Sequence, residues 1–364
     1  MNILISGAGV AGLALALNLG IRGHQVTVVE YASHLRVNGS PIDIRGDAIS
    51  ITGEMGLLTQ ILQQRVHMTE RLVWVNSDGA VVGRSPAQEF SDSGDDIEIA
   101  REDLTRILFD ALPHGVTIRF QDSIDALTGD GDGVDVRFAS GSRERFGLVL
   151  GADGLHSAVR RLTFGPERDY LRHLGLYVAL FDLPGEGQPG GPSPSYNFPG
   201  HLATIGRYRD KALGCFIFRS GLIDYDYHDL DAGKKILASE YTSHDSWKVP
   251  ELLDAALADS ELYFDSVSQI HMPAWHKGRI ALVGDAAHCA TLLSGRGTSL
   301  ALTGAYFLAE ELTRSDGDHT TAFQRYEARQ RPYVTFAQDS ANYGRDVLVP
   351  ATWEAITERN QSFQ

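Results

Sequence analysis

The hydrophobic pattern of the first thirty residues is that of a buried strand, then of a helix, then of a second buried strand. Asn2 to Ser6 is a short apolar run, which predicts a buried strand. Val10 to Arg22 has helical spacing and is followed by Gly23, a residue that often ends a helix. Gln25 to Glu30 is rich in Val and Thr and predicts a second buried strand. A strand, a helix and a strand in this order predict a parallel unit of an α/β fold.

The rest of the chain alternates between helical stretches and short strands. Helical spacing is found at 48–64, 101–112, 232–243, 249–258 and 299–313, and over most of 319–364 with kinks near Pro332 and Pro350. Strands are predicted as a hairpin at 71–82, as a small meander at 116–120, 122–128, 133–138 and 143–150, throughout 170–220, and at 279–283. The pattern therefore predicts a Rossmann-like domain with a strand-rich insertion and a C-terminal helical segment.

Composition and charge narrow the class of protein. The 364 residues carry a net charge of -15, which disfavours binding to nucleic acid or to an anionic membrane surface. Two cysteines cannot build a disulfide framework. The apolar start of the chain has no basic residues before it and is interrupted by glycines, so we interpret it as folded structure. No other window is long enough to span a bilayer, and we expect a cytoplasmic protein.

A glycine pattern lies between the first strand and the first helix. Gly7-Ala8-Gly9-Val10-Ala11-Gly12 fits Gly-x-Gly-x-x-Gly, and Glu30 ends the next strand. Gly7 allows a tight turn, Gly9 lets the backbone approach a pyrophosphate, and Gly12 lets the helix pack closely on the sheet. The helix N-terminus offers unpaired N–H groups to the phosphates, and Glu30 can accept hydrogen bonds from ribose hydroxyls. The pattern predicts a dinucleotide site without separating FAD from NAD.

A second strand, glycine-containing loop and helix lie near residue 285. The strand at Ile280 to Val283 is followed by Gly284-Asp285-Ala286-Ala287-His288 and then by Gly295-Arg296-Gly297-Thr298-Ser299, which opens a helix. The Asp285 carboxylate can bind polyol hydroxyls. The N-terminus of a helix that begins at Ser299 can face a group that gains negative charge, as the ring of a reduced flavin does.

Three motifs together resemble one enzyme family. They are the Gly7–Gly12 pattern with Glu30, the segment Gly151-Ala152-Asp153-Gly154-Leu155-His156-Ser157-Ala158-Val159-Arg160, and Gly284–His288 with Gly295–Gly297. In this order they resemble the class A flavoprotein monooxygenases of the p-hydroxybenzoate hydroxylase type, especially the tetracycline-inactivating and polyketide-tailoring branches. The resemblance covers residues 1 to about 335.

The resemblance implies a domain plan. An FAD-binding domain would comprise 1–70, 100–169 and 276–330, and a substrate-binding domain would comprise 71–99 and 170–275. A helical segment would follow at 331–364. The family also contains Pro and Asn where this chain has Leu292 and Ser299. We expect Ser299 to cap the helix in place of Asn.

The resemblance also implies cofactor contacts. Arg101 would contact FAD across its ribityl and pyrophosphate groups, Asp43 the flavin, and Arg36 the nicotinamide donor. Asp153 would support both cofactors. The full set of expected cofactor-binding residues is Gly7, Ala8, Gly9, Ala11, Gly12, Glu30, Arg36, Asp43, Arg101, Asp153, Asp285, Gly295, Gly297, Thr298 and Ser299.

The chemistry implied by the family needs two cofactors and dioxygen. NADPH or NADH binds transiently and reduces FAD, and oxygen then forms a flavin C4a-hydroperoxide that hydroxylates an electron-rich carbon. The substrate would be an aromatic, phenolic or polycyclic polyketide-like molecule, such as a tetracycline. A flavin oxidase or dehydrogenase without oxygen transfer, and a flavin-binding protein without turnover, stay open as alternatives.

Substrate contacts are expected on the strand-rich insertion, facing the flavin ring. The candidates are Tyr177, His201, Arg207 and Phe216, with Tyr196, Phe218 and Trp275 as further aromatic positions. Aromatic residues in strands are more often core than ligand contacts, and no catalytic base is assigned. No metal site is expected, since His271 and His276 lack a third ligand nearby in the sequence.

Overall fold

The computed structural model describes residues 1–35, 40–66, 72–85, 92–184, 192–209 and 211–363, except for the side chain of Asn342. The strands within these residues are β1 Asn2–Ser6, β2 Gln25–Glu30, β3 Pro41–Ile44, β4 Val73–Val75, β5 Val81–Arg84, β6 Ile97–Ala100, β7 Val116–Phe120, β8 Ile124–Gly129, β9 Val134–Phe138, β10 Arg143–Phe146, β11 Leu148–Gly151, β12 Leu171–Asp182, β13 Pro194–Phe198, β14 His201–Tyr208, β15 Lys211–Arg219, β16 Tyr263–Ile270, β17 His276–Lys277 and β18 Ile280–Leu282.

The α-helices within the same residues are α1 Val10–Ile21, α2 Asp47–Glu54, α3 Leu58–Gln63, α4 Arg101–Asp110, α5 Ala158–Phe164, α6 Leu230–Tyr241, α7 Val249–Ala258, α8 Asp285–His288, α9 Gly297–Arg314, α10 His319–Leu348 and α11 Trp353–Ser362. Strands and helices thus alternate at the start of the chain, as predicted, and helices close it.

The first sheet has the strand order β17-β18-β11-β1-β2-β7 and is parallel except for its edge strand β17. Its central strands are continuous apolar runs, because helices cover the sheet and leave no face for water. Ile3, Leu4 and Ile5 are fully buried in β1, and Leu148 and Val149 are fully buried in β11. This is the Rossmann-like part of the fold that the first strand, helix and strand predicted.

The predicted small meander is only partly correct. β8, β9 and β10 form a separate antiparallel sheet, but β7 pairs in parallel with β2, and β11 pairs in parallel with β1. Short loops and alternating side chains indicate strands, but they do not determine which distant strand each one pairs with. Fully apolar β11 follows the rule for a buried parallel strand rather than that for a meander.

The second large sheet has the order β16-β12-β15-β14-β13-β4-β5. It combines the strand-rich region after residue 170 with the predicted hairpin of β4 and β5, which pairs with β13 in parallel. The helices α6 and α7 cover an apolar face of this sheet, where Leu237, Tyr241 and Leu252 are buried among its aromatic side chains. The fold is therefore α/β, with a strand-rich region inserted in the Rossmann-like part.

Several helices differ from their predicted bounds. The helix predicted at 48–64 is two helices, α2 and α3, separated at Gly56, whose φ of +75° is left-handed. α9 begins at Gly297, two residues before the predicted start at Ser299. α10 continues through Pro332, whereas the predicted break near Pro350 is present between α10 and α11. Among the residues described here, no helix combines the length and apolar character needed to cross a membrane.

Candidate functional site

Three loops leave the parallel sheet side by side. They follow the carboxyl ends of β1, β11 and β18, which are neighbours in the sheet, with Ser6, Gly151 and Leu282 in register. Ala152 N–H donates to the Ser6 carbonyl oxygen and Val283 N–H donates to the Gly151 carbonyl oxygen, each at 2.8 Å. Ligands of open α/β sheets bind at this edge, so the topology brings the three sequence motifs to one place.

The glycines hold these loops in contact. A Cβ atom on Gly7 would lie 2.5 Å from the Ala152 carbonyl oxygen, and one on Gly12 would lie 1.9 Å from the Gly7 carbonyl oxygen. A Cβ atom on Gly284 would lie 2.8 Å from the Ala11 Cβ. No side chain fits at these distances, so glycine is required at all three positions. The first motif therefore touches both the second and the third.

Gly9 has a different environment from Gly7 and Gly12. Among the described residues other than its chain neighbours, no atom lies within 4 Å of the position that its Cβ would take. Gly9 is the N-cap residue of α1, and no side chain caps this helix. The free N–H groups and the positive end of the helix dipole thus face open space, which fits a phosphate group and a backbone that must be approached closely.

Glu30 joins the first loop to the end of β2. Its carboxylate accepts hydrogen bonds from Ala8 N–H at 2.7 Å and from Ala32 N–H at 2.9 Å. Each carboxylate oxygen can accept more than one hydrogen bond, so capacity remains for ribose hydroxyls. The Ala8 N–H itself is used by Glu30 and is not free for a phosphate.

Asp285 begins α8 directly after the third loop. Its side chain is exposed, yet surrounding protein desolvates the carboxyl and raises its pKa, while the charge of Arg101 lowers it. A side chain that is both exposed and desolvated lies at the floor of a cleft. Arg101 begins α4, is exposed, and makes no ion pair or hydrogen bond with the part of the chain described here. The Asp285 carboxylate also has a hydrogen bond with the buried Cys289 thiol, and it borders the same space as the unpaired Arg101 cation.

Tyr263 is a third residue at this border, and the sequence did not single it out. It is 45% exposed at the start of β16, and desolvation raises the pKa of its hydroxyl well above the ordinary value. Arg101 and Asp285 both act on this hydroxyl electrostatically. We call the space bordered by Gly9, Arg101, Tyr263 and Asp285 the central cleft. It separates the parallel sheet from the strand-rich sheet.

The loop before α9 packs against the end of β3. Ser299 is not the cap of α9: its hydroxyl accepts a hydrogen bond from Arg45 N–H at 2.9 Å. The buried Arg45 side chain forms an ion pair with Asp43 at 2.5 Å, and a Cβ on Gly295 would lie 2.9 Å from it. Arg45 therefore fixes both Asp43 and the loop, a role for which the sequence contains no recognisable motif.

The first turn of α9 is open to a ligand. Its N-cap residue Arg296 provides no side-chain cap, and Thr298 is half-buried. Apart from the helix itself and the chain neighbours, no atom of the described residues lies within 4 Å of a Cβ on Gly297. The preceding Thr291 has φ +72° and ψ +159°, a region that is populated almost only by glycine. Strain of this kind is concentrated at functional sites, and Leu292 beside it is exposed.

Asp153 faces the protein rather than solvent. Its carboxylate accepts hydrogen bonds from Ser157 Oγ at 2.5 Å, Val159 N–H at 3.1 Å and Ser6 Oγ at 3.3 Å. Burial raises the pKa of the carboxyl and these hydrogen bonds lower it. The contacts to α5 and β1 stabilise the second loop, and the expected contact of Asp153 with cofactors stays a prediction.

His156 connects the second loop to the strand-rich sheet. Its ring lies 3.1 Å from Asp265, 2.8 Å from Glu167 and stacks on Tyr227 at 3.7 Å between centroids. Burial disfavours the charged imidazole, but the hydrogen bonds to Asp265 and Glu167 outweigh it and raise the pKa of His156 to about 9. His156 is therefore a cation at neutral pH and links the two sheets electrostatically.

The expected substrate contacts do not line an open surface. Tyr177, Phe216 and Phe218 are 0% exposed, and Tyr196 is 5% exposed. All four belong to the core beneath α6 and α7, where Tyr177 stacks on Phe218, and Phe216 and Phe218 pack against Tyr241. Burial of this kind is typical of aromatic residues in strands, and the contact of these residues with substrate stays a prediction.

The polar candidates have protein partners of their own. His201 bonds to the Pro199 carbonyl oxygen at 2.9 Å and lies 3.3 Å from Glu240, and Arg207 donates to the Pro192 carbonyl oxygen at 3.0 Å. Trp275 lies elsewhere, buried behind α8. Arg36 is outside the described residues. The structure thus brings the cofactor candidates together but does not gather the substrate candidates.

The fold and the site are those of a flavoprotein. A Rossmann-like domain provides a dinucleotide site at the carboxyl ends of its parallel strands, and a strand-rich sheet lies over this site. Comparison with known proteins agrees. Residues 1–168 match the family model described as FAD binding domain. A flavin-dependent monooxygenase of Legionella longbeachae is 36% identical over 92% of this chain and 86% of its own length.

Two solved structures are similar over nearly the whole chain. Tetracycline destructase Tet(55) has a TM-score of 0.85 and 35% identity, covering 100% of this chain and 94% of its own. Tetracycline destructase Tet(51) has a TM-score of 0.86 and 32% identity, covering 99% and 95%. The chain belongs to the class A FAD-dependent monooxygenases, near the tetracycline-inactivating branch, and its cofactor is FAD.

Proposed function

We propose that the protein is an NAD(P)H-consuming monooxygenase that hydroxylates an electron-rich carbon of an aromatic, phenolic or polycyclic polyketide-like substrate, with tetracyclines as the first molecules to test. One observation carries the proposal: the open space at Gly9 and the exposed carboxylate of Asp285 belong to the same cleft, because Gly284 packs against Ala11. A single extended dinucleotide can reach both.

The residues around the cleft suit FAD in chemical character. The open N-terminus of α1 at Gly9 would bind the pyrophosphate, and Glu30 would accept hydrogen bonds from the adenosine ribose. Asp285 would bind polyol hydroxyls, and Arg101 would supply a cation opposite the phosphates. The open first turn of α9 would face the flavin ring. FAD, when bound, supplies the two-electron chemistry and the reaction with dioxygen.

The protein would contribute orientation and the exclusion of water. The strand-rich sheet lies across the cleft from the parallel sheet, and His156 with Asp265 and Glu167 holds the two together on one side. A closed interface of this kind protects a reactive species from water. We assign no catalytic acid or base, in agreement with the sequence.

The electron donor would be NADPH or NADH bound transiently. The Gly-x-Gly-x-x-Gly match that lies between a buried strand and a helix is Gly7–Gly12, and FAD would use it. The donor would then have to approach the cleft from solvent. The expected contacts of Arg36 and Asp153 with the donor belong to this proposal.

The relatives support the class of substrate. The two solved structures quoted above are both tetracycline destructases. This supports a fused polycyclic substrate that bears phenol and enol groups. The aromatic residues chosen from the sequence are buried in this structure, and their contact with such a molecule stays a prediction. Exposed Tyr263 at the cleft border is a better starting point.

The test follows oxygen from dioxygen into product. The purified FAD-loaded protein is incubated with NADPH or NADH, labelled dioxygen and a panel of tetracyclines and phenols, and products are analysed by mass spectrometry. A monooxygenase gives substrate-stimulated NAD(P)H oxidation and one labelled oxygen atom in the product. Turnover without label would instead indicate an oxidase or dehydrogenase, and no turnover over the whole panel would indicate a flavin-binding protein without catalysis.

A further inference from the structure

The hairpin of β14 and β15 extends from the strand-rich sheet to the start of α4. Tyr208 ends β14, Arg209 follows it and Lys211 begins β15, and we call these three residues the hairpin tip. Lys211 Nζ donates to both carboxylate oxygens of Glu102, at 2.7 and 2.8 Å. Arg209 Nη1 lies 2.7 Å from a carboxylate oxygen of Asp103. Two ion pairs thus join the hairpin tip to the first turn of α4.

A small apolar cluster lies next to the ion pairs. Its members are buried and come from both sides of the contact: Val66, Ala100, Tyr208 and Leu213. Ala100 is the N-cap residue of α4 and directly precedes Arg101. The hairpin tip is therefore packed against the start of this helix, and its ion pairs are not isolated pairs on the surface.

Arg209 has an unfavourable backbone conformation at this place. Its φ of +52° is in the left-handed region, which favours Gly, Asn and Asp. Arg209 Nη2 also donates to the carbonyl oxygen of Gln64, the C-cap residue of α3, at 2.9 Å. One guanidinium therefore joins the end of α3 to the start of α4, and these contacts offset the cost of the backbone conformation.

The first turn of α4 needs support of this kind. Its N-cap residue, Ala100, has no side chain that can accept a hydrogen bond from the free N–H groups. Arg101 follows, and its positive charge opposes the helix dipole. Glu102 and Asp103 have the favourable sign for a helix N-terminus, and the hairpin tip holds both of them. The position of this turn therefore depends on the strand-rich sheet.

Arg101 leaves the helix in another direction. Successive side chains of an α-helix are about 100° apart, so Arg101 does not share the face on which Glu102 and Asp103 meet the hairpin tip. The Arg101 side chain is exposed and acts electrostatically on Tyr263 and Asp285. The turn is thus held on one side and presents a cation to the central cleft on another.

We propose that Arg209 and Lys211 are positioning residues that hold Arg101 towards FAD. The inference rests on the proposed contact of Arg101 with the FAD phosphates. A helix start that is already fixed presents its cation without the entropic cost of ordering that turn when FAD binds. FAD affinity would then depend on a hairpin that is not among the residues bordering the central cleft.

The test measures the FAD affinity of the double variant Arg209→Gln with Lys211→Gln. The full-length apoprotein is titrated with FAD, and flavin fluorescence gives the dissociation constant. We expect binding about tenfold weaker than in the parent protein, because the first turn of α4 has to be ordered during binding. A double variant that binds FAD as tightly as the parent protein overturns the proposal.

Two single variants serve as controls. Lys235→Gln removes the same charge from an exposed position on α6 and should leave FAD affinity unchanged. Lys211→Arg keeps a cation opposite Glu102 and should bind FAD like the parent protein. Equal losses in Lys235→Gln and Lys211→Gln would show that only the net charge matters, and would contradict a positioning role.

The Arg101→Gln background separates positioning from a general loosening of the fold. Without Arg101 there is no cation to position, so the same double substitution should weaken FAD binding by less than about twofold. A tenfold loss in both backgrounds would indicate a purely structural role and overturn the proposal.

Arg101→Gln alone tests the contact on which the inference rests. If it weakens FAD binding and the double variant at the hairpin tip does not, only the positioning role fails. If Arg101→Gln binds FAD like the parent protein, the proposed contact of Arg101 fails, and the positioning role fails with it.

Discussion

Arg160 donates a hydrogen bond from Nη1 to the carbonyl oxygen of Ala286, at 3.0 Å, and so joins the second loop of the site to the third. Arg160 belongs to α5 and is 0% exposed, and its Nη2 also pairs with Glu167 at 2.6 Å. One buried guanidinium thus sets the position of α8, the helix that begins with Asp285. The distance between the two loops depends on this side chain rather than on the glycines alone.

Replacing Arg160 by Met should lower the free energy of unfolding by about 2–3 kcal/mol, because the Ala286 carbonyl oxygen loses its buried donor and the half-buried Glu167 keeps only His156 as a partner. Denaturant unfolding with circular dichroism measures the change. Arg161→Met is the control, since Arg161 is exposed in the same helix. A loss below about 1 kcal/mol for Arg160→Met, the range of an exposed ion pair, would contradict the assigned role.

Gly9→Val should abolish FAD binding while leaving the fold intact. An added Cβ has no atom of the described residues within 4 Å apart from its chain neighbours, so we expect the fold to tolerate valine, whose side chain fills the space that a pyrophosphate would need. Flavin absorbance of the purified variant and its circular dichroism spectrum measure the two effects. Gly12→Ala should behave in the opposite way and disrupt folding, since its Cβ would lie 1.9 Å from the Gly7 carbonyl oxygen. A yellow Gly9→Val protein would contradict the placement of the cofactor.

Asp285→Asn should weaken FAD binding by about tenfold, equivalent to about 1.4 kcal/mol, if the carboxylate accepts hydrogen bonds from the polyol chain. Arg101→Gln should weaken it to a similar extent through loss of the cation. Fluorescence titration of the apoprotein with FAD gives both dissociation constants. Unchanged affinity in Asp285→Asn would remove that residue from the site.

The two substitutions should not be independent, because Arg101 acts electrostatically on Asp285 in the free protein. The double variant Arg101→Gln with Asp285→Asn should lose less than the sum of the single effects in FAD binding free energy. Strict additivity in the same titration would show that the two charges bind FAD without influencing one another.

The pH dependence of stability should contain a contribution from His156. Its pKa is raised to about 9 in the folded protein, above the value near 6.5 expected when unfolded. The contribution is therefore complete below pH 6.5, falls as the pH rises, and is lost above about pH 9. Its size is at most about 3 kcal/mol, from 1.36 kcal/mol per pKa unit.

His156→Gln should thus lower the melting temperature most at pH 6 and least at pH 10. Thermal unfolding at saturating FAD over this range tests the point, since saturation holds the effect of the ligand nearly constant. His114→Gln, at an exposed position, should show no comparable trend. A His156→Gln effect that is equal at pH 6 and pH 10 would indicate that the ring packs but does not carry charge.

The sequence predicted the three loops because each combines a buried strand, glycines and a helix within a short segment. Gly12 has a local reason to be glycine, its approach to Gly7, whereas Gly7 and Gly284 are held by Ala152 and Ala11 of distant loops. Parallel topology brings these loops to one edge of the sheet. The structural roles of Arg45 and Arg160 could not be predicted from sequence motifs. Their partners, such as Ser299 and Ala286, are more than a hundred residues distant in the chain.

The burial of the aromatic substrate candidates could not be predicted because strand alternation does not tell which face of a sheet is covered by helices. Tyr177, Phe216 and Phe218 alternate like residues of a ligand surface, but α6 and α7 pack over them. Strand alternation also does not tell which strands pair, and β7 and β11 were therefore predicted in a meander although they pair with β2 and β1. Tyr263 was missed because a single tyrosine at the start of a strand carries no pattern.

The last helix has a consequence for how the protein is made. Arg359 in α11 lies over the Trp74 ring at 3.4 Å and donates to Asn197 at 2.9 Å, so one C-terminal side chain completes a layer begun by β4 and β13. During synthesis on the ribosome, the strand-rich sheet has to wait, with Trp74 uncovered, until residues near 359 have emerged. The Rossmann-like part also lacks β18 and α9 until late, so neither half can finish folding early. Both sheets are therefore completed by segments that lie far along the chain from the strands they join.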